Sequence, residues 1–205
     1  TWQMPLEEFD RKLSTLLAQG KRDADMVQLS GGEPTIHPDI ERMIALCFER
    51  GVKKVYVNTN GVRVAKDAEF VERLAALDGG RDRLQFYLQF DGFRRETHRY
   101  HRNADLRQIK QRAVERLSQA GVFTTLTMTA ALGVNDDEIG LVIKRALGTP
   151  YIGGVTIQPV FGSGRSGAKF SSRSTARGPR ISTPCAPSPP SAFCQLKVAT
   201  SILPH

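Results

Sequence analysis

Cysteine is scarce in this chain, and its pattern does not point to cross-linking. Cys47 stands alone, and Cys185 and Cys194 lie nine residues apart among 205 residues. With no export signal ahead of them, that usage argues against a disulfide framework and for a reducing, cytoplasmic compartment. Long apolar runs are missing too. No stretch reaches the roughly 18 residues of a membrane helix, so no membrane span is expected. No signal peptide opens the chain, because Thr1-Trp2-Gln3-Met4 leads straight into a charged amphipathic segment. The first residue is not methionine, which places the expected natural start upstream of Thr1.

Acidic residues disappear after Glu138. The formal charge is +8, yet through Glu138 the 21 acids are matched by 21 of the 29 bases. The excess sits wholly in the last third. A nucleic-acid footprint would cover a folded face, so this distribution argues against a nucleic-acid partner. Pattern disappears as well. Residues 168–205 hold 6 of the 11 prolines and keep neither helical nor strand periodicity. Too little apolar surface can be buried there to offset ordering entropy, so a disordered tail is expected. The abrupt change also fits foreign or out-of-frame sequence joined to a truncated domain spanning residues 1–167.

The remainder is enough for one domain with a real core, since 40% of the residues are hydrophobic. Leu6, Phe9, Leu13, Leu16 and Leu17 recur at helical spacing, with Pro5 suited to the first turn. Further helical stripes are Ile40, Met43, Ile44, Cys47; Phe70, Val71, Leu74, Leu77; Leu106, Ile109, Ala113, Leu117; and Ile139, Val142, Ile143, Ala146, Leu147. Strands are expected at residues 26–29, 52–57, 84–90, 122–132 and 155–160. The third alternates strictly, with Leu84, Phe86, Leu88 and Phe90 against Gln85, Tyr87 and Gln89. The fourth is rich in β-branched Thr. Regular alternation of helix and strand predicts an α/β fold with a parallel sheet: a partial (β/α) barrel of about five strands.

In such folds ligands sit beyond the carboxyl ends of the strands. Those ends carry Ser30-Gly31-Gly32-Glu33-Pro34, Asn58-Thr59-Asn60-Gly61, Gln89-Phe90-Asp91-Gly92, Gly133-Val134-Asn135 and Gln158. Paired glycines let a ligand approach the backbone, Glu33 adds a negative charge, and Pro34 stiffens the exit from the turn. That combination suits a ligand bearing an ammonium group. Taken singly, each segment is equally an ordinary turn or cap. Glu33 and Asp91 are also open to a reading as an acid–base pair. Arg94, Arg95, His98, Arg99, His101 and Arg102 form a basic run that is open to phosphate or RNA, or is simply a solvated loop and helix start. His37 reads as a turn residue ahead of a helix. Gly162-Ser163-Gly164-Arg165 is a weak anion-binding candidate.

The order of these motifs resembles the radical SAM superfamily. There Gly-Gly-Glu-Pro follows the second barrel strand, Thr-Asn-Gly the third, a polar-x-Asp ends the fourth, and Gly-x-Asn-Asp follows the fifth. Residues 29–39 (LSGGEPTIHPD), 87–92 (YLQFDG) and 133–140 (GVNDDEIG) are similar to a subgroup that includes the enzymes joining lipid chains in archaeal tetraethers. The resemblance covers residues 4–167. It implies S-adenosylmethionine bound at a [4Fe-4S] cluster, reductive cleavage to a 5′-deoxyadenosyl radical, hydrogen abstraction from a small-molecule or lipid-like substrate, and an external electron donor. It places Gly31, Gly32 and Glu33, with Pro34, at the methionine amino group, and Gln89 and Asp91 at the ribose. Asn58, Asn60, Asn135 and Gln158 fall on the pocket rim. The family's C-x3-C-x2-C cluster loop precedes its first helix, whereas this chain begins at that helix. The expectation is a fragment that lacks its metal ligands and is inactive alone, with an active parent.

Overall fold

The computed structural model describes residues 3–19 and 26–160. The tail from residue 168, with Cys185 and Cys194, and the Gly162–Arg165 candidate lie outside the described residues. Helix α1 (Leu6–Gln19) leads into β1 (Met26–Leu29), then α2 (Ile40–Glu49) and β2 (Lys54–Thr59). Two helices come next, α3 (Val62–Lys66) and α4 (Ala68–Asp78), before β3 (Leu84–Gln89). Another pair, α5 (Arg95–Arg102) and α6 (Arg107–Gln119), precedes β4 (Phe123–Ala130). The last elements are α7 (Ile139–Leu147) and β5 (Ile152–Pro159).

The five strands form one sheet in the order β1-β2-β3-β4-β5. Every neighbouring pair is parallel. Among the described residues β1 and β5 do not pair, so the sheet is an open part of a barrel, as the alternation predicts. Parallel strands need crossovers, and each one here carries at least one helix. One sheet face is dry: Val27, Leu29, Val55, Val57, Leu84, Phe86, Leu88, Leu126 and Met128 are buried. Against it pack Ile44 and Cys47 of α2, Phe70 and Leu74 of α4, Val114 and Leu117 of α6, and Val142 of α7. The other face is half exposed and polar. It carries Gln28, Tyr56, Asn58, Gln85, Tyr87, Gln89, Thr125 and Thr127. Tyr56 and Tyr87 touch there, with ring centroids 5.2 Å apart.

Two helices were not legible in the sequence. α3 is five residues long, too short for a periodicity. α5 turns Thr97 and His98 inward, both fully buried, so its hidden face is polar and has no apolar stripe. The basic run is therefore the entry and body of a helix, with Arg94 just ahead of it. Most of its charge is also matched. Arg94 pairs with Asp137 at 2.6 Å, Arg102 with Asp91 at 2.8 Å, and Arg95 lies 3.8 Å from Asp105.

Candidate functional site

Because all five strands run the same way, their carboxyl ends share one rim. At the first end, Gly31 adopts φ 154° and both glycines are exposed. Among the described residues, a Cβ placed on Gly32 would meet nothing within 4 Å, so the backbone there borders open space. Glu33 lies just behind. Its Oε1 accepts from the Thr35 N–H at 3.2 Å, the Thr35 hydroxyl at 2.6 Å and the Thr59 hydroxyl at 2.7 Å. Its Oε2 accepts from the Asn60 N–H at 2.6 Å. A carboxylate offers about four acceptor positions, and four donors of this chain address them. Glu33 thus ties the first strand end to the second. The partners Thr59 and Asn60 lie 26 and 27 residues away, so sequence alone did not show this use. Arg63 adds a bond to the Thr35 carbonyl. His37 donates from Nε2 to the Met4 carbonyl at 3.0 Å and accepts the Asp39 N–H at Nδ1, which makes it the expected turn residue.

The second strand end is built with no spare room. Gly61 has φ +77°, and a Cβ there would stand 2.5 Å from Leu88 Cδ1 and 3.2 Å from Ala113 Cβ. The Gly61 N–H donates to the Thr59 hydroxyl, and Asn60 Oδ1 accepts from the Val62 N–H. The Asn60 carbonyl accepts from Lys110 Nζ at 2.7 Å. Asn58 sits on the open sheet face, where its Oδ1 accepts from Gln28 Nε2 at 3.0 Å.

Asp91 closes the third strand end and is fully buried. Its Oδ2 pairs with Arg102 at 2.8 Å, and its Oδ1 accepts the Thr129 N–H at 3.0 Å. Asn135, also fully buried, donates to the carbonyls of Asp91 and Thr129 at 2.7 and 2.9 Å, and accepts the Ala131 N–H at 2.8 Å. It is a clasp between the third and fourth strand ends. Glu138 accepts from the Phe93 and Arg94 N–H groups and from the Thr97 hydroxyl, capping α5 from a distance. His98 donates from Nε2 to the Gly92 carbonyl at 3.0 Å, and burial pushes its pKa down.

The structure thus brings Gly31, Gly32, Glu33, Pro34, Asn58, Asn60, Gln89, Asp91 and Asn135 to the ends of four adjacent strands. Gln89 lies on the open face in register with Thr127, whose buried Oγ1 has no hydrogen-bond partner among the described residues. Gln158 is set apart on the edge strand β5, exposed and opposite Thr129. Glu33 and Asp91 are each occupied by their own partners, at the first and third strand ends. Sequence reading named Thr59 only as part of a turn and Arg102 only as part of a basic run, and it did not single out Lys110 or Glu138 as residues of the rim. For Lys110 a signal existed: it occupies a stripe position of α6 that its period reserves for an apolar residue. A groove of about 770 Å³ between α6 and α7, with Phe90, Phe93, Ile109 and Arg145 in its walls, lies on the helix side.

An open parallel α/β sheet with bare glycines and clamped polar turns along one rim defines an open half of a (β/α) barrel, a fold class whose ligands lie at the strand ends. The profile of the radical SAM superfamily matches residues 1–146, and the chain belongs to that superfamily. It is 33% identical over 141 residues to 7,8-dihydro-6-hydroxymethylpterin dimethyltransferase of Methanocaldococcus jannaschii, covering 68% of this chain and 27% of that protein. It is 39% identical over 70 residues to GTP 3′,8-cyclase of Mannheimia succiniciproducens, covering 32% and 19%. The chain therefore spans about a quarter or less of the length of these relatives. The solved structure of native anSMEcpe with bound AdoMet and Kp18Cys peptide shares the fold, with a TM-score of 0.58 at 16% identity. The match covers 76% of this chain and 43% of that one.

The two cofactors of the family fit these residues unequally. The open space at Gly32 and the clamped rim fit S-adenosylmethionine. The [4Fe-4S] cluster finds no ligand set: among the described residues no group of three His, Cys, Asp or Glu could hold a metal. Cys47 is wholly buried on α2, and burial pushes its thiol up to about 12, so it is a core residue and not a thiolate ligand. No helix among the described residues is long and apolar enough to cross a membrane.

Proposed function

We propose that this chain supplies the S-adenosylmethionine-binding rim of a radical SAM enzyme. The observation that carries the reading is the open space at Gly32 beside exposed Gly31, next to a Glu33 carboxylate that is itself fixed by Thr59 and Asn60. The backbone there would receive the methionine ammonium, with Glu33 as the negative charge behind it. Gln89, and beside it the Thr127 hydroxyl, which has no partner among the described residues, would meet the ribose hydroxyls. Asp91 and Asn135 act by fixing the rim. Asn58, Asn60 and Gln158 border it.

The resemblance to tetraether-lipid synthases supports a lipid-like substrate. The half-exposed sheet face of amides, hydroxyls and two tyrosines supports a polar small molecule instead. The names of the two relatives, which act on a pterin and on GTP, favour a nitrogen heterocycle. An external electron donor is part of the same reading. RNA is the weaker alternative, because Arg94, Arg95 and Arg102 already have acidic neighbours.

Gly32→Ala separates binding from folding. No atom of the described residues would touch the new Cβ, so the thermal midpoint stays where it is, while S-adenosylmethionine affinity measured by calorimetry falls at least about tenfold. Unchanged affinity would overturn the reading. The cluster has a second test. Anaerobic iron–sulfide reconstitution of this chain is expected to give no stable absorbance near roughly 400 nm, and a stable chromophore with about four irons per chain would show that its thiols suffice.

A further inference from the structure

Lys110 projects from the buried side of α6 and is fully removed from solvent. Taking an ammonium out of water is costly, and an apolar residue of similar length would pack at this stripe position without that cost. The lysine reaches the back of the second strand end. Its Nζ donates to the Asn60 carbonyl at 2.7 Å, while the N–H of the same residue donates to Glu33 at 2.6 Å. Asn60 is thus held from two sides, by a cation behind and a carboxylate in front. Two charged groups of the rim, Asp91 and Glu33, favour the cation. Arg102 opposes it, and neighbouring His98 carries a pKa pushed down by burial.

We propose that Lys110 is a positioning residue for the cofactor rim: from α6 it fixes the Thr59–Asn60–Gly61 turn, and through that turn the carboxylate of Glu33, which directly follows Gly31 and Gly32. The inference rests on reading this rim as the S-adenosylmethionine site. Three links carry the effect: Lys110 to the Asn60 carbonyl, the Asn60 amide to Glu33, and Glu33 to the loop it belongs to. Lys110 itself touches no ligand, since none of its surface is open. Its substitution acts on the shape of the rim and not on a contact with the cofactor.

The test compares Lys110→Met with Val114→Ala in the full chain. Val114 is equally buried, one turn further along α6, and leaves a plain cavity when shortened. Hydrogen exchange at the amides of residues 59–61, thermal midpoint and S-adenosylmethionine affinity are measured for both. Lys110→Met is expected to speed exchange at those amides and to weaken affinity, each about tenfold. Val114→Ala is expected to lower the midpoint and leave both other readouts near wild type. Normal exchange at residues 59–61 in Lys110→Met overturns the proposal. So does an equal loss of affinity in Val114→Ala. Should Lys110→Met not fold, Lys110→Gln is judged by the same criteria. If the wild-type chain fails to bind S-adenosylmethionine, the cofactor reading falls, and the exchange comparison still decides whether Lys110 holds the turn.

Discussion

Lys110 shows how a single buried charge can be both a cost and a tool. Burial pushes its pKa down to about 8, with Asp91 and Glu33 resisting and Arg102 assisting. The unfolded chain keeps that proton up to about pH 10.4. Between those values the folded state has released a proton that the unfolded state still binds, so stability rises with pH across this window. The gain amounts to about 3 kcal/mol at the upper end. Urea denaturation at about pH 7.5 and about pH 10 should show the rise in wild type and its loss in Lys110→Met. Equal pH dependence in the two proteins would contradict the assignment. A companion contrast lies between two glycines. Gly92 has φ +150°, and a Cβ there would stand 2.5 Å from Glu138 Oε2. Gly92→Ala should therefore cost about 2–3 kcal/mol in denaturant titrations, whereas Gly32→Ala costs none. Sequence reading found both glycines, but it could not tell the one facing a carboxylate from the one facing open space. That difference lies in a partner far along the chain, on the crossover after β4.

At the scale of elements, legibility followed apolar period. β3 was readable because Leu84, Phe86 and Leu88 point to helices while Gln85, Tyr87 and Gln89 do not. α2 and α6 were readable from their stripes. α5 was not, because its buried face is made of a threonine and a histidine that bond to Glu138 and to the Gly92 carbonyl. Such a helix exists only by virtue of its tertiary partners. Glu138 supplies the acceptor for two backbone N–H groups at its start and for Thr97. Glu138→Ala would leave three donors short of an acceptor and is expected to cost about 2–4 kcal/mol. Circular dichroism and proteolysis should show the loss concentrated at residues 93–102, and uniform destabilisation would argue that α5 stands on its own.

At the scale of the molecule, net charge is a poor guide to partners here. The positive excess falls beyond Glu138, while the basic run on α5 is threaded with acids. Any affinity of the full chain for RNA should therefore be indifferent to Arg95→Ala and Arg99→Ala in fluorescence anisotropy at low salt. A drop of about tenfold would restore the nucleic-acid reading. The strand-end rim was visible in the sequence as a set of turns, since parallel topology alone places such ends together. The clamps that make it a rim were not, because each one joins segments from different crossovers.

The sequential strand order has a consequence for how this molecule comes into being. Among the described residues each strand bonds only to its predecessor and its successor, so these five strands can be laid down unit by unit as the chain leaves the ribosome. Growth of that kind can pause after any unit without undoing the earlier ones.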